Sequence, residues 1–167
     1  MLSKKMEKAL NDQINAEIFS TYLYLAMAAW FHSRKLQGFA RWMEMQAREE
    51  WEHSMKFFHY VDERGGRVIL SAIEAPPSEW ESPLEAFKAA YEHEKYITGR
   101  IHDLVALARE EKDYATENFL QWFVTEQVEE ESSTARVVDQ IEMVADSRQG
   151  LFLLDRELGA RGAQPQE

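Results

Sequence analysis

The chain contains no cysteine, which removes disulfide scaffolds, thiolate-bound zinc, iron-sulfur clusters and thiol nucleophiles in one step. Proline and glycine are scarce, four and seven in 167 residues, so few places can turn the backbone sharply and long uninterrupted elements are expected. The longest near-apolar run, Tyr22 to Phe31, is about ten residues, roughly half a bilayer span, and reads as buried helix rather than a membrane segment. The first twenty residues hold Lys4, Lys5, Glu7, Lys8, Asp12 and Glu17, with no apolar core of a signal peptide, so the expected compartment is the cytoplasm. Basic residues are in deficit: nineteen Lys and Arg face thirty Asp and Glu, a net charge of -11. Such a field repels phosphate backbones, so nucleic acid is not an expected partner and cations are.

What is present is helix-forming sequence. Stretches rich in Ala, Leu, Met, Glu, Lys and Arg predict four long helices at about 5–32, 39–64, 83–111 and 115–145, and a short fifth at about 148–158. The expected whole is one domain over 1–167, long enough to bury roughly 70% of the surface its unfolded chain exposes. Ser82 is placed to cap the third helix and Pro83 suits its first turn, while Gly65 and Gly66 suit the end of the second. The first break is expected around Arg34 to Gly38, and the tail from Gly159 to Glu167 is expected to fray. Gly99 has no evident purpose within its helix. Short connections after the first and third helices force antiparallel neighbours. The crossover at about 66–82 reaches about 55 Å when extended, enough to return along a helix of about 40 Å. The fold class is therefore all-α, a four-helix bundle running up, down, down, up, with one long crossover and a short C-terminal helix.

Steps of three and four residues along each long helix trace its core-facing seam. The first seam reads Leu10, Ile14, Glu17, Thr21, Tyr24, Ala28, Phe31, and the second Phe39, Met43, Gln46, Glu50, His53, Phe57, Tyr60. The third reads Leu84, Phe87, Tyr91, Glu94, Thr98, Ile101, Val105, and the fourth Leu120, Phe123, Gln127, Glu130, Thr134, Val137, Ile141, Val144. Every seam is apolar at its ends and polar in the middle. With the topology above, Glu17, Glu50, His53, Glu94, Gln127 and Glu130 fall within about 8 Å of height. An unpaired buried carboxylate costs several kcal/mol, and no seam supplies Lys or Arg at that level. Two divalent cations would neutralise four carboxylates, and hard oxygen ligands with one imidazole suit iron or manganese.

Taken alone, the Glu50-Trp51-Glu52-His53 step would be an ordinary solvated helix face; four seams meeting at one level give it meaning. Of the acidic run Glu129, Glu130, Glu131, only Glu130 occupies a seam. Glu49 and Glu126 neighbour site residues and mark a third, weaker cation position. Tyr24 shares the face of Glu17 and suits either a hydroxyl bonded to a carboxylate or a redox role. The Trp and Met residues read mostly as core filler, Trp122 included, although Trp122 is close enough in sequence to the site to donate an electron. His32, His59, His93 and His102 read as surface or packing residues.

These residues resemble the non-haem ferritins of bacteria and archaea. The resemblance runs from Ala9-Leu10-Asn11-Asp12-Gln13-Ile14-Asn15-Ala16-Glu17 through Glu49-Glu50-Trp51-Glu52-His53 and Arg64-Gly65-Gly66-Arg67-Val68 to Phe119-Leu120-Gln121-Trp122-Phe123 and Glu126-Gln127-Val128-Glu129-Glu130. It implies an iron-storage protein with ferroxidase activity. Fe(II) would be oxidised by dioxygen or hydrogen peroxide at two iron positions per subunit and deposited as Fe(III) oxide inside a shell of 24 copies. One position would lie among Glu17, Glu50 and His53, the other among Glu50, Glu94 and Glu130, with Gln127 beside them. Glu49, Glu126, Glu129 and Glu130 resemble the ligands of a third iron site, and Tyr24 and Trp122 match residues near the centre. Two departures separate close relatives. Gln127-Val128-Glu129-Glu130 stands where bacterioferritins and rubrerythrins carry a second Glu-x-x-His, giving a site with only one His, and Trp51 stands where bacterioferritins carry a haem-binding Met, so no haem is expected. Two competing readings are a diiron oxidase that keeps its metals and a metal-free scaffold with protonated buried acids.

Overall fold

A computed structural model describes residues 1–144 and 146–161. Among the described residues it contains five helices and no strand: α1 (Lys4–Ser33), α2 (Gln37–Glu63), α3 (Pro83–Glu110), α4 (Tyr114–Val144) and α5 (Arg148–Gly159). Ala145 and residues 162–167, on which the expected end of the fourth helix and most of the expected frayed tail fall, lie outside the described residues.

Each helix starts where a side chain can satisfy the free backbone N–H groups of its first turn. Ser3, Ser82 and Ser147 accept from the amides of Met6, Glu85 and Gly150. At α2 the preceding residue is Leu36, which has no cap to offer. The carboxylate of Asp155, on α5, serves instead, accepting from the amides of Gly38 at 2.8 Å and Phe39 at 3.0 Å. Gly38 is thus not a break but the second residue of α2. A Cβ there would sit 1.6 Å from the Asp155 carbonyl oxygen, so only glycine allows α5 to seat. Gly65 closes α2 with a φ of +70°, while a side chain at Gly99 would meet open space and nothing in the structure calls for glycine there.

Hydrogen bonds fix the topology. The crossover follows α1 upward: the Asn11 amide donates to the carbonyl of Arg67, Asn15 to that of Ala72, and the Trp30 indole to Glu79. α3 then starts beside the end of α1 and runs back down, its His93 meeting Ser20 and its Arg100 meeting Asp12 and Gln13. That is the up, down, down, up bundle.

The core is divided. One apolar cluster includes Met27, Phe31, Phe39, Met43, Phe87, Val137 and Ile141 and is closed by Leu154 and Leu158 of α5. The other includes Met6, Leu10, Ile14, Phe57, Val61, Ile101, Leu120 and Phe123. Each buried Phe or Leu contributes about 1.5–3 kcal/mol, so the two ends hold the bundle together and leave its middle level free for polar groups. No helix among the described residues is long and apolar enough to cross a membrane.

Candidate metal centre

Glu17 on α1, Glu50 and His53 on α2, Glu94 on α3, and Gln127 and Glu130 on α4 meet between the two apolar clusters, all at most 4% exposed. Glu17, Glu50 and His53 each bring one ligand atom to within 4.8 Å of the others; so do Glu50, Glu94 and Glu130, and so do His53, Glu126 and Glu130. Glu50 belongs to the first two groups, which makes it the hinge of the arrangement. The i, i+3 spacing of Glu50 and His53 puts both on one helical face. His53 Nδ1 lies 3.4 Å from Glu50 Oε2 and its Nε2 lies 3.7 Å from Glu126 Oε1, so one ring nitrogen faces the centre and the other an outer carboxylate. The ring is held edge-on by Trp122 and Phe123, at centroid distances of 5.4 and 6.0 Å.

The donor set fits hard cations. Among the described residues Glu17 Oε2 and Glu50 Oε1 are buried without a hydrogen-bond partner, an arrangement that costs several kcal/mol for a charged carboxylate unless a cation or a proton uses those lone pairs. Among the described residues no Lys or Arg pairs directly with Glu17, Glu50, Glu94 or Glu130. Instead the Tyr24 hydroxyl donates to Glu94 Oε1, Gln127 Nε2 to Glu94 Oε2 at 3.2 Å, Gln13 to Glu17 at 2.6 Å, and Gln46 to Glu130 at 2.6 Å. Each of these donors takes one lone pair and leaves the charge in place.

Burial dominates the protonation of the centre. It raises Glu17, and it lifts Glu50 well above the carboxylate range with the Glu94 charge adding to it. Glu94 is pushed up to about 8 by burial and by Glu130, against the hydrogen bonds from Tyr24 and Gln127. Glu130 is pushed up to about 7 by burial. Burial opposes charge on His53, but its hydrogen bonds to Glu126 and Glu50 prevail and hold it at about 11. Glu126, in turn, is lowered by His53. Burial thus favours the protonated form of these carboxylates, and a metal binding among them would have to displace protons.

The remaining expected site residues divide. Glu126 is half-buried beside His53, whereas Glu49 is engaged by Arg161 at 2.8 Å. Glu129 is exposed and belongs to none of the ligand groups found among the described residues. Trp122 is not core filler: it is 42% exposed, one face carries the Lys56 ammonium at 4.4 Å, and its edge meets His53. Trp51 is likewise half-exposed. Of the other histidines, His32 bonds Gln37 and Glu44 near the α1–α2 turn, and His93 bonds Ser20, burial holding it down at about 4. The seams missed Gln13, which is fully buried, and the two arginines behind the glutamines, Arg100 and Arg161. One signal was available for Gln13, which stands four residues before the seam glutamate it bonds, a spacing that stacks side chains on one face; Gln46 bonds Glu130, 84 residues away, and no local spacing marks that pair.

Comparisons with known proteins agree with this geometry. The ferritin family, described as a ferritin-like domain, matches residues 7–144. A probable bacterial non-heme ferritin-like protein of Haemophilus influenzae is 45% identical over 95% of this chain and 96% of its own length. The bacterial non-heme ferritin of Staphylococcus aureus is 42% identical over 96% of this chain and 97% of its own. Among solved structures, an open pore ferritin from the archaeon Archaeoglobus fulgidus superposes with a TM-score of 0.95 at 56% identity, covering 96% of this chain and 98% of that one. A humanized archaeal ferritin gives 0.96 at 53%, over 99% and 100%. A family match over most of the chain, relatives matched along nearly their whole length, and a four-helix core with one long crossover agree: the chain belongs to the ferritin family.

Proposed function

We propose that the chain stores iron, oxidising Fe(II) at the centre within each subunit and depositing Fe(III) oxide inside a shell of 24 copies. The observation that carries this reading is the pair of ligand groups sharing Glu50, buried in the core with two carboxylate oxygens left without partners. Glu17, Glu50 and His53 would receive one Fe(II), and Glu50, Glu94 and Glu130 the second, with Gln127 beside it. Two Fe(II) each give one electron to a single dioxygen, which takes two protons and becomes hydrogen peroxide, or to hydrogen peroxide as the alternative oxidant, which takes two protons and becomes two waters, leaving two Fe(III). Carboxylates stabilise Fe(III) more than Fe(II), which drives the oxidation, and hydrolysis of the product to oxide returns protons to water.

The chain's own groups set the order of events. Glu94 and Glu130 shed their protons as Fe(II) arrives, and His53 must lose its proton for a ring nitrogen to serve as ligand. Glu126 holds the outward nitrogen so that Nδ1 keeps facing Glu50. Tyr24 fixes one oxygen of Glu94 and thereby aims the other. Glu126, Glu130, Glu49 and Glu129 would pass product iron out of the centre toward the store through a third position, where Glu49 becomes available once Arg161 releases it. The net charge of -11 draws Fe(II) toward the shell, and the protein works in the cytoplasm.

Aerobic addition of Fe(II), followed by ultraviolet absorbance, tests the reading. The parent oxidises iron and holds far more than two ions per chain, and Glu50→Ala slows oxidation by more than about 100-fold, since it strips a ligand from both positions. A native mass of about 470 kDa is expected for 24 chains of 19.6 kDa. Parent-like oxidation by Glu50→Ala overturns the site, and a monomer or dimer overturns storage in a shell.

A further inference from the structure

The structure assigns Gln13 and Gln46 as positioning residues, each the middle link of an arginine-amide-carboxylate relay that aims one carboxylate of the metal centre; the second relay ties that centre to the end of α5. This rests on the metal-binding reading above. In the first relay Arg100 Nε donates to Gln13 Oε1 at 2.9 Å, and Gln13 Nε2 donates to Glu17 Oε1 at 2.6 Å. In the second, Arg161 Nη2 donates to Gln46 Oε1 at 2.6 Å, and Gln46 Nε2 donates to Glu130 Oε2 at 2.6 Å. Both glutamines are fully buried. The relays use different helices, one within α1 and supported by α3, the other passing from beyond α5 through α2 to α4.

The chemistry of the links gives the arrangement its direction. An amide has one accepting end and one donating end, and a guanidinium only donates. With arginine at one side, the carbonyl end must face it and the NH2 end must face the carboxylate. Each arginine thereby selects the orientation in which the glutamine donates to Glu17 or Glu130. A guanidinium bonded to those carboxylates directly would occupy both oxygens and compete with the metal for charge. The interposed amide spends one lone pair of one oxygen and remains neutral. At Glu17 the result is visible: Oε1 takes the amide, and Oε2 is the oxygen left without a partner inside the centre.

The two arginines are anchored differently. Arg100 also donates to the Asp12 carbonyl and the Tyr96 hydroxyl, within the α1–α3 pair. Arg161 follows α5, lies over the Trp42 ring at 4.4 Å and also reaches Glu49. The seating of α5 against Gly38 therefore bears on Glu130 through Arg161 and Gln46, and Glu17 is independent of it.

Anaerobic titration of the assembled protein with Co(II), followed by its visible d–d bands and by calorimetry, reads the geometry and affinity of the two positions without turnover. Gln46→Leu and Arg161→Ala are each expected to weaken the position that uses Glu130 by about ten-fold and to alter its band shape, leaving the His53 position within about two-fold. Gln13→Leu is expected to do the converse. The double variant Arg161→Ala/Gln46→Leu should be no weaker than Gln46→Leu alone, because the arginine acts through the amide. Arg161→Lys, which keeps a donor, should recover part of the loss. Additive losses, or equal weakening of both positions in every variant, overturn the relay while leaving the centre in place. Unchanged Co(II) binding in all variants does the same. A parent that takes up no Co(II) removes the metal-binding reading and the relay with it.

Discussion

The two halves of the metal centre share Glu50 and differ mainly in one partner, His53 on one side and Gln127 on the other. His53 is fixed at both nitrogens, Nδ1 by Glu50 and Nε2 by Glu126, and packed by Trp122 and Phe123. Gln127 spends its amide nitrogen on Glu94, the Glu94 carbonyl and Thr98, at 3.2 to 3.3 Å. One half is thus built around a rigid, basic ligand and the other around carboxylates with a neutral neighbour. The first suits an ion that is held, and the second an ion that is passed on. Under the storage reading proposed above, that asymmetry would let one ion move on, whereas a centre binding both ions equally firmly would keep its product.

The strongest way to break the asymmetry is to remove its rigid side. His53→Ala is expected to weaken metal at the Glu17 half by more than about 100-fold while the Glu94 and Glu130 half still fills, as read by anaerobic calorimetry. Equal loss at both halves would show that the two are not separable. The converse change, Gln127→His, should equalise them: the second ion then survives dialysis against a chelator that strips it from the parent, and turnover of iron into the store slows. Unchanged retention would remove Gln127 as the source of the difference.

A subtler test uses protons. Glu94 and Glu130 titrate near 8 and 7 in the folded chain against an ordinary 4.5, and His53 near 11 against 6.5. In each case the folded chain keeps protons that the unfolded chain has lost, so the stability of the metal-free protein falls as pH rises. For the acids the fall runs from about 4.5 to 8, and for the imidazole from about 6.5 to 11. Thermal melts of the metal-stripped protein should give a higher midpoint at about pH 5 than at about pH 9, with added metal closing the gap. Glu94→Gln should flatten part of the slope; an unchanged slope would place the linkage elsewhere. The smallest effect is expected from Tyr24→Phe, which loses one hydrogen bond to Glu94, about 0.5–1.5 kcal/mol, without touching the His53 half. A loss of affinity confined to the Glu94 side is the outcome that calorimetry should return.

The seams were legible because a bundle repeats its core positions at fixed spacing, so Glu17, Glu50, Glu94 and Glu130 declare themselves as acids where apolar residues belong. Long-range partners leave no such trace. Gly38 reads as a helix break until α5 is seen seated on it, and no pattern along the chain marks Asp155 as the cap of α2. Arg161 stands 115 residues from Gln46, in a tail expected to fray, and no periodicity links the two. Trp122 was misplaced for the same reason: a half-exposed ring and a buried one have the same letter, and only the packing around His53 tells them apart.

The central claim is that two metal positions share Glu50. Crystals soaked anaerobically with Fe(II) and measured at the iron absorption edge should show two anomalous peaks flanking Glu50, one among Glu17, Glu50 and His53 and the other among Glu50, Glu94 and Glu130. A single peak away from Glu50, or peaks confined to surface acids, would contradict the account.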